Sequence, residues 1–345
     1  MLDDLKFIHQ RDSLDALGLA EKQYQQLHHS FEVTGDWLRV TDIANIVYSG
    51  MGGSALAAYL SETWPGHRLP FEVVRQYHLP KYVGPKTLVI VSSYSGNTEE
   101  ELSTVAEAAK AGAQIVAIAS NGQLAELAKA KNYPLLILPK VQEPRFAVLA
   151  NLKAIAEILI AAGLSDKKDC QAEISSAAAF LHREVQAWLP TVPSERNPAK
   201  ILAMEIAGKT PIIYGGPLMS PAAYKWKINF NENAKNVAFC NELPEFNHNE
   251  MIGWSSHPVQ KPFEIINLIS SFEDKRIIKR FAASEKLLSG RWPAPHNIKA
   301  KGSTVLEQLL WCVAYGDYVS IYLALINNQD PAPVDLIEKF KRDLE

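Results

Sequence analysis

An α/β fold in two units, each a parallel sheet between helices, is what the sequence predicts. Three observations carry it. Apolar, β-branched runs alternate with long helical segments through the first half of the chain. The alternation returns more loosely in the second half. The 345 residues also exceed what one core usually organises.

The first forty residues read as helix and connection. Asn45–Tyr48 is then a short strand, followed by the turn Ser49-Gly50-Met51-Gly52-Gly53-Ser54 and a helix from Ala55 to Trp64. Phe71–Val74 is a second strand. Thr87–Val91 is a third, almost wholly β-branched or apolar, as a strand buried on both faces should be. Ser92–Thr98 leads into a Glu/Ala-rich helix from Glu99 to about Ala111. Gln114–Ala119 is a strand, Gln123–Lys131 a helix, Pro134–Leu138 a fifth strand, and Phe146–Ala162 a long apolar helix. The polar stretch Ser165-Asp166-Lys167-Lys168-Asp169 marks the expected boundary, giving domains 1–165 and 166–345, with a helix from Gln171 to Leu189 before the second core.

In the second half Pro211–Tyr214 is a strand, Gly215–Ser220 a turn and Pro221–Phe230 a helix. Tyr48-Ser49-Gly50 with Ser54 and Tyr214-Gly215-Gly216 with Ser220 share one spacing, which suggests a duplicated unit. Val237–Phe239, Pro262–Ile269 and Ile298–Ala300 are further strands. Asp274–Leu288, Thr304–Asn327 and Val334–Leu344 are helices, the Thr304 segment apolar nearly all round and therefore a core or dimer helix.

Composition narrows the function. The chain is 47% apolar and 21% charged, as an ordinary globular protein is, and its net charge of −3 argues against a broad nucleic-acid or membrane footprint. Cys170, Cys240 and Cys312 are scattered, without a CxxC pair, so a reducing compartment is expected. The acidic N-terminus does not read as a secretory signal, and no uninterrupted apolar run suggests a membrane span. Cytoplasmic location is the expectation. No HxH or HExxH pair offers metal-ligand spacing, and the glycines do not form GxGxxG, so neither metal nor nucleotide cofactor is expected.

The strongest local chemistry is Ser93-Tyr94-Ser95-Gly96-Asn97-Thr98, between a buried strand and an acidic helix. Small hydroxyl residues and free helix N-terminal N–H groups converge there, and Gly96 permits the tight turn. Neutral donors at the positive end of a helix dipole suit a phosphate monoester. An ordinary N-cap uses the same residue types, but the pattern SxSGNT after VIV and before EEEL is more particular.

This loop resembles that of the sugar isomerase (SIS) domain, and Gly50-Met51-Gly52-Gly53-Ser54 resembles the first βα loop of that domain. The resemblance implies that Gly53, Ser54, Ser93, Ser95 and Thr98 bind a sugar phosphate, with Arg145 an additional cation, and that the fold is two SIS-type αβα sandwiches. The second half has no equal to the loop, since its corresponding strand runs into Ser270-Ser271-Phe272-Glu273-Asp274, whose carboxylates oppose a phosphate.

Asn231-Glu232-Asn233 and, sixteen residues after Glu232, His248 in Pro244-Glu245-Phe246-Asn247-His248-Asn249-Glu250 resemble the bifunctional phosphoglucose/phosphomannose isomerases. Gly316–Ser320 and Asp330–Val334 extend that resemblance over nearly the whole chain. It implies interconversion of glucose and mannose 6-phosphates with fructose 6-phosphate through an enediol. A carboxylate can move the proton between C1 and C2, a role that falls to Glu232, and a histidine can open the sugar ring, a role that falls to His248. The resemblance also implies a lysine near the C-terminus, Lys341 in the better register and Lys339 in the other, and a homodimer whose histidine crosses the interface. Ala332 departs from the threonine frequent in the family.

Three rivals carry less. A sugar-phosphate-sensing regulator would need a DNA-binding module, which the short acidic N-terminal segment does not offer. An amidotransferase half would need an N-terminal cysteine and a glutaminase domain. An isomerase of another phosphosugar, a heptose or arabinose, lacks reason for the Glu232 and His248 segments. The zinc-dependent mannose phosphate isomerase is disfavoured by the absent ligand spacing.

Overall fold

The computed structural model describes residues 1–35, 42–141, 144–256 and 262–344. The chain divides into two compact units, Gln23–Ala179 and Met1–Lys22 with Phe180–Glu345. Where the sequence suggests a division at 165/166, the contacts place it inside a helix and return the first 22 residues to the C-terminal unit. The reason is local. Helices α1 (Leu5–Arg11) and α2 (Ala16–Lys22) are joined by Asp12, whose buried carboxylate accepts the N–H groups of Ala16 and Leu17 at 2.7 and 2.9 Å. α2 then packs on the long helix α12 (Val305–Ile326), and Asp3 pairs with buried Lys200 at 3.0 Å.

The N-terminal unit holds β1 (Val33–Thr34), β2 (Asn45–Gly50), β3 (Phe71–Val74), β4 (Thr87–Ser93), β5 (Gln114–Ala119) and β6 (Leu135–Ile137). Their order is β1-β6-β5-β4-β2-β3, with β1 antiparallel and the rest parallel. The helices are α3 (Gly52–Thr63), α4 (Glu99–Lys110), α5 (Gly122–Ala130), α6 (Val148–Ala161) and α7 (Lys167–Glu184), which runs on into the C-terminal unit. Every residue of β4 is buried, which its unbroken Leu-Val-Ile-Val run anticipates. The chain steps outward from β2 to β3, then returns across β2 to lay down β4, β5 and β6. Strand order therefore reverses between β2 and β4, and a crevice opens there at the carboxyl ends of the strands.

The C-terminal unit repeats this plan. β7 (Thr210–Gly215), β8 (Phe239–Glu242), β9 (Phe263–Ile269) and β10 (His296–Lys299) form an all-parallel sheet in the order β10-β9-β7-β8, reversing between β7 and β9. Its helices are α8 (Pro198–Ile206), α9 (Ser220–Glu232), α10 (Glu250–Gly253), α11 (Lys275–Leu287), α12 and α13 (Asp335–Leu344). Tyr48 and Tyr214 occupy matching places on β2 and β7, and both are buried. α12 is 22 residues long and apolar enough by length and composition to cross a membrane, yet 94% of its most apolar window is buried inside the unit. It also buries Glu307 and Asp317, so it is the unit's interior helix.

Candidate active site

Gly50 pairs with Ser92 across the β2–β4 ladder, so the turns that follow the two strands emerge side by side at the reversal of strand order. Met51-Gly52-Gly53-Ser54 begins α3, and Ser93–Thr98 begins α4. Ser93 Oγ and Thr98 Oγ1 lie 2.8 Å apart, and Ser93 Oγ also accepts the Gly96 N–H at 3.1 Å. Ser95 Oγ accepts the Asn97 N–H at 3.3 Å while the residue stays exposed. Gly96 has φ +71°, and a Cβ there would stand 1.9 Å from the Asn121 carbonyl oxygen, so only glycine lets the loop lie on the neighbouring turn. Asn97 Oδ1 clasps that turn from the other side by accepting the Gln123 N–H at 3.0 Å.

Neither α3 nor α4 has a side-chain cap. The N–H groups of two helix first turns are thus directed at one crevice with no side-chain acceptor of their own, the arrangement that binds phosphate. Gly53 is half-buried and Ser54 buried, its carbonyl accepting the Tyr48 hydroxyl at 3.1 Å. Arg145 is buried, in a short turn that packs on α3 and α6, with its guanidinium 5.0 Å from the Phe146 ring centre. It is therefore no solvated helix-start arginine.

The matching crevice of the C-terminal unit is closed by its own acids. Glu273 Oε1 accepts the Leu218 N–H at 2.9 Å, just ahead of α9, and Asp274 caps α11 through the Arg276 N–H at 2.6 Å. Burial raises the Glu273 pKa, with the N–H groups of Leu218 and Met219 opposing that rise. A carboxylate stands where the N-terminal unit presents helix N-termini without a side-chain cap.

Glu232 is the last residue of α9. It is half-buried and lines a cavity of about 660 Å³ with Asn231, Lys235, Asn236, Asp330 and Pro333. α9 is fixed on α12 by polar groups in the interior. Lys225 Nζ and Asn229 Nδ2 both donate to Asp317 Oδ1, the latter at 2.6 Å, and Asn233 Nδ2 donates to Ser320 Oγ at 2.9 Å. This explains the density of asparagine around Glu232. Lys235 has a positive φ just past the helix end and donates to the Asp330 carbonyl oxygen at 2.5 Å. The sequence assigns Lys235 no role; its only signal there is its place three residues after Glu232.

His248 ends a short turn after β8 and is exposed. The turn is braced on both sides: Asn247 donates to Ser284 Oγ at 2.7 Å and accepts from Arg280 at 3.2 Å, while Glu250 accepts from Tyr214 and from Asn241. Glu250 is thus a structural acceptor. β7 and β8 are parallel, and α9 connects them, so α9 runs back against the strands. Glu232 lies at the amino-terminal edge of the sheet and His248 at the carboxyl edge. One copy of the unit does not bring them together. Lys341 belongs to α13, but its side chain lies outside the described residues; Lys339 is exposed. Ala332 is fully buried in the loop before α13, with its N–H on Asp330 Oδ1 at 3.0 Å, and does not line the cavity.

Residues 195–344 match the sequence profile of the bacterial phospho-glucose isomerase C-terminal SIS domain. The chain is 35% identical over 311 residues to a bifunctional phosphoglucose/phosphomannose isomerase of Caldicellulosiruptor bescii, covering 89% of this chain and 91% of the relative. It belongs to that family. A second member, from Aquifex aeolicus, is 32% identical over 94% of this chain and 98% of its own length. Among solved structures, a glucose-6-phosphate isomerase like protein from Thermus thermophilus superposes with a TM-score of 0.64 at 20% identity, over 99% of this chain and 98% of that one, and shows the same fold. The α/β fold of two SIS-type units expected from the sequence is the fold of the family.

Proposed function

We propose that the chain isomerises glucose 6-phosphate, and mannose 6-phosphate, to and from fructose 6-phosphate through an enediol, in a homodimer. The observation that carries this reading is the pair of uncapped helix N-termini at the β2–β4 crevice, with Gly53, Ser54, Ser93, Ser95 and Thr98 around it. They bind the phosphoryl group, and Arg145 adds positive charge behind α3. The phosphoryl-binding residues belong to the N-terminal unit, and Glu232 and His248 to the C-terminal unit.

His248 opens the ring by moving a proton from the anomeric hydroxyl to the ring oxygen. Glu232 takes the proton from C2 of the open aldose as O1 is protonated. The resulting enediol receives that proton at C1 while O2 gives up its own, and the ketose is formed with no net change in protons or electrons. A lysine of α13, Lys341 or Lys339, stabilises the negative oxygen, and Lys235 is a further cation beside Glu232. Glu232 and His248 lie on opposite edges of one sheet, which supports a site completed by His248 of a second copy.

The test is a coupled assay with each hexose 6-phosphate in turn, with and without a chelator. Turnover of both, insensitive to chelation, is expected. Binding without turnover would replace this reading by that of a sugar-phosphate sensor. Turnover abolished by chelation and restored by a divalent ion would remove the metal-free mechanism.

A further inference from the structure

Glu101 is the third residue of α4, directly behind the phosphate loop, and the isomerisation chemistry does not use it. It is 1% exposed, and neither carboxylate oxygen has a well-formed hydrogen bond among the described residues, its own N–H and the Thr98 hydroxyl being the donors nearest to it. A glutamate three residues after an N-cap turns back toward that cap, here Thr98. In an ordinary capping box the cap hydroxyl bonds the helix N–H groups and the glutamate returns a bond to the cap. Here the Thr98 hydroxyl caps no helix N–H; it lies 2.8 Å from Ser93 Oγ, and its contact with the Glu101 carboxylate opposes the effect of burial only weakly.

The other neighbouring polar groups are engaged with one another. From β2, Tyr48 faces Glu101, but its hydroxyl is spent on the Ser54 carbonyl and Asn151 Oδ1, both at 3.1 Å. Ser49 of β2 and Thr104 of α4 bond each other at 2.7 Å, and Thr104 also donates to the Glu101 backbone carbonyl. On β4, Ser92 accepts from Asn151 of α6. The titratable groups that face Glu101 are Tyr48 and, on its own helix, Glu100; no lysine, arginine or histidine contributes among the described residues. The strand β5 and helix α5, which also pack on α4, bring apolar residues such as Ala117, Ala119 and Leu124 to this core.

Resting on the phosphate-loop reading, we propose that Glu101 makes phosphoryl binding proton-linked: the loop holds a phosphoryl dianion with Glu101 as the neutral acid, and ionisation of Glu101 weakens the grip. Burial, the dominant cause, already lifts its pKa to about 7, where the proton is exchanged under ordinary conditions. A bound dianion beyond Thr98 raises the proton affinity further, because two anions in a low-dielectric site repel. Binding then takes up a proton, and affinity falls about tenfold per pH unit above neutrality until the complex itself titrates. The second ionisation of a phosphate monoester, near about 6, is largely complete below that range, and that of inorganic phosphate, which lies higher, raises affinity with pH, so neither produces the fall.

The experiment is calorimetric titration of the full chain with inorganic phosphate and with fructose 6-phosphate, from about pH 6.5 to about pH 8.5, in buffers of different ionisation enthalpy. The wild type should lose about tenfold or more in affinity across the upper part of that range and take up protons on binding. Glu101→Gln, neutral and nearly isosteric, should bind fructose 6-phosphate with an affinity that changes less than about twofold, and inorganic phosphate with one that rises with its own ionisation, with proton uptake reduced accordingly. Glu101→Thr, which removes the carboxyl outright, is the second variant should Gln not fold. Equal pH slopes in wild type and variants overturn the proposal and leave the loop reading intact. Failure of either ligand to bind any of the proteins overturns the loop reading and this proposal with it.

Discussion

Lys225 on α9 and Asp317 on α12 form an ion pair in the interior of the C-terminal unit, their side chains 2% and 3% exposed. Asn229 adds a second donor to the same carboxylate oxygen. Such a pair adds little net stability over a matched apolar pair, but removing one partner strands a buried charge. Asp317→Leu should therefore cost about 3–5 kcal/mol, whereas Lys225→Met combined with Asp317→Leu should recover most of that loss. Urea unfolding of the two single variants and the double variant measures the coupling. Additive losses would mean that the two charges act independently. Because α9 carries Glu232 two turns beyond Lys225, the single variant should also lose turnover by more than its unfolded fraction explains.

Glu232 and His248 sit on opposite edges of one sheet, so the dimer reading makes a strict demand. Glu232→Gln and His248→Ala should each reduce kcat by about a hundredfold or more, with hexose-phosphate binding nearly kept. Mixed and allowed to exchange subunits, the two inactive proteins should regain up to about a quarter of wild-type activity, because one site of each hybrid is then intact. If the mixture stays inactive while exchange is shown by mass, the site is not shared.

The phosphate loop allows a paired glycine test. Gly96→Ala puts a methyl 1.9 Å from the Asn121 carbonyl oxygen at a φ of +71°. Gly112→Ala has nearly the same φ, +70°, but its nearest contact is 3.7 Å away. Both should lose about 1 kcal/mol to backbone strain, while only Gly96→Ala should raise KM about tenfold or more. Ser95→Ala and Thr98→Ala should raise KM in the same direction without the strain. An unchanged KM in all three loop variants would place the phosphoryl group elsewhere.

How far these features are legible in sequence depends on how local they are. The phosphate loop is readable because strand, hydroxyl turn and helix are contiguous, and β4 because burial on both faces leaves an unbroken apolar run. α8 has local signals as well: Asn197 accepts from Ala199 and Lys200 as N-cap, and Pro198 stands at the first helical position. β1 is only two residues, defined by pairing with β6, and leaves no periodicity to read. β8 is expected over Val237–Phe239 but runs from Phe239 to Glu242, because an edge strand carries the polar Cys-Asn-Glu stretch that an interior strand would exclude. The assignment of residues 1–22 to the C-terminal unit rests on Asp3, Asp12 and the α12 surface, contacts far apart in the chain. The edge-to-edge separation of Glu232 and His248 likewise follows only from the direction of α9.

Glu101 offers a stability test independent of any ligand. Its folded pKa of about 7 lies above the ordinary value of 4.5, so the folded protein holds this proton more tightly than the unfolded chain does. Where the native state binds more protons, stability falls as pH rises. The loss begins near the ordinary value, grows as the pH climbs through about 7 and is constant beyond, amounting to roughly 3 kcal/mol at most. Glu101→Gln has no proton to lose. It should match the wild type near pH 4.5 and exceed it above the folded pKa of about 7, raising Tm by several degrees at alkaline pH. The comparison has to be made at several pH values, since a variant that merely packs better would be stabilised equally at all of them. Curves that run parallel from acid to alkaline pH would show that Glu101 is ionised in the fold at no cost, and that the space behind the phosphate loop is less apolar than its neighbours imply.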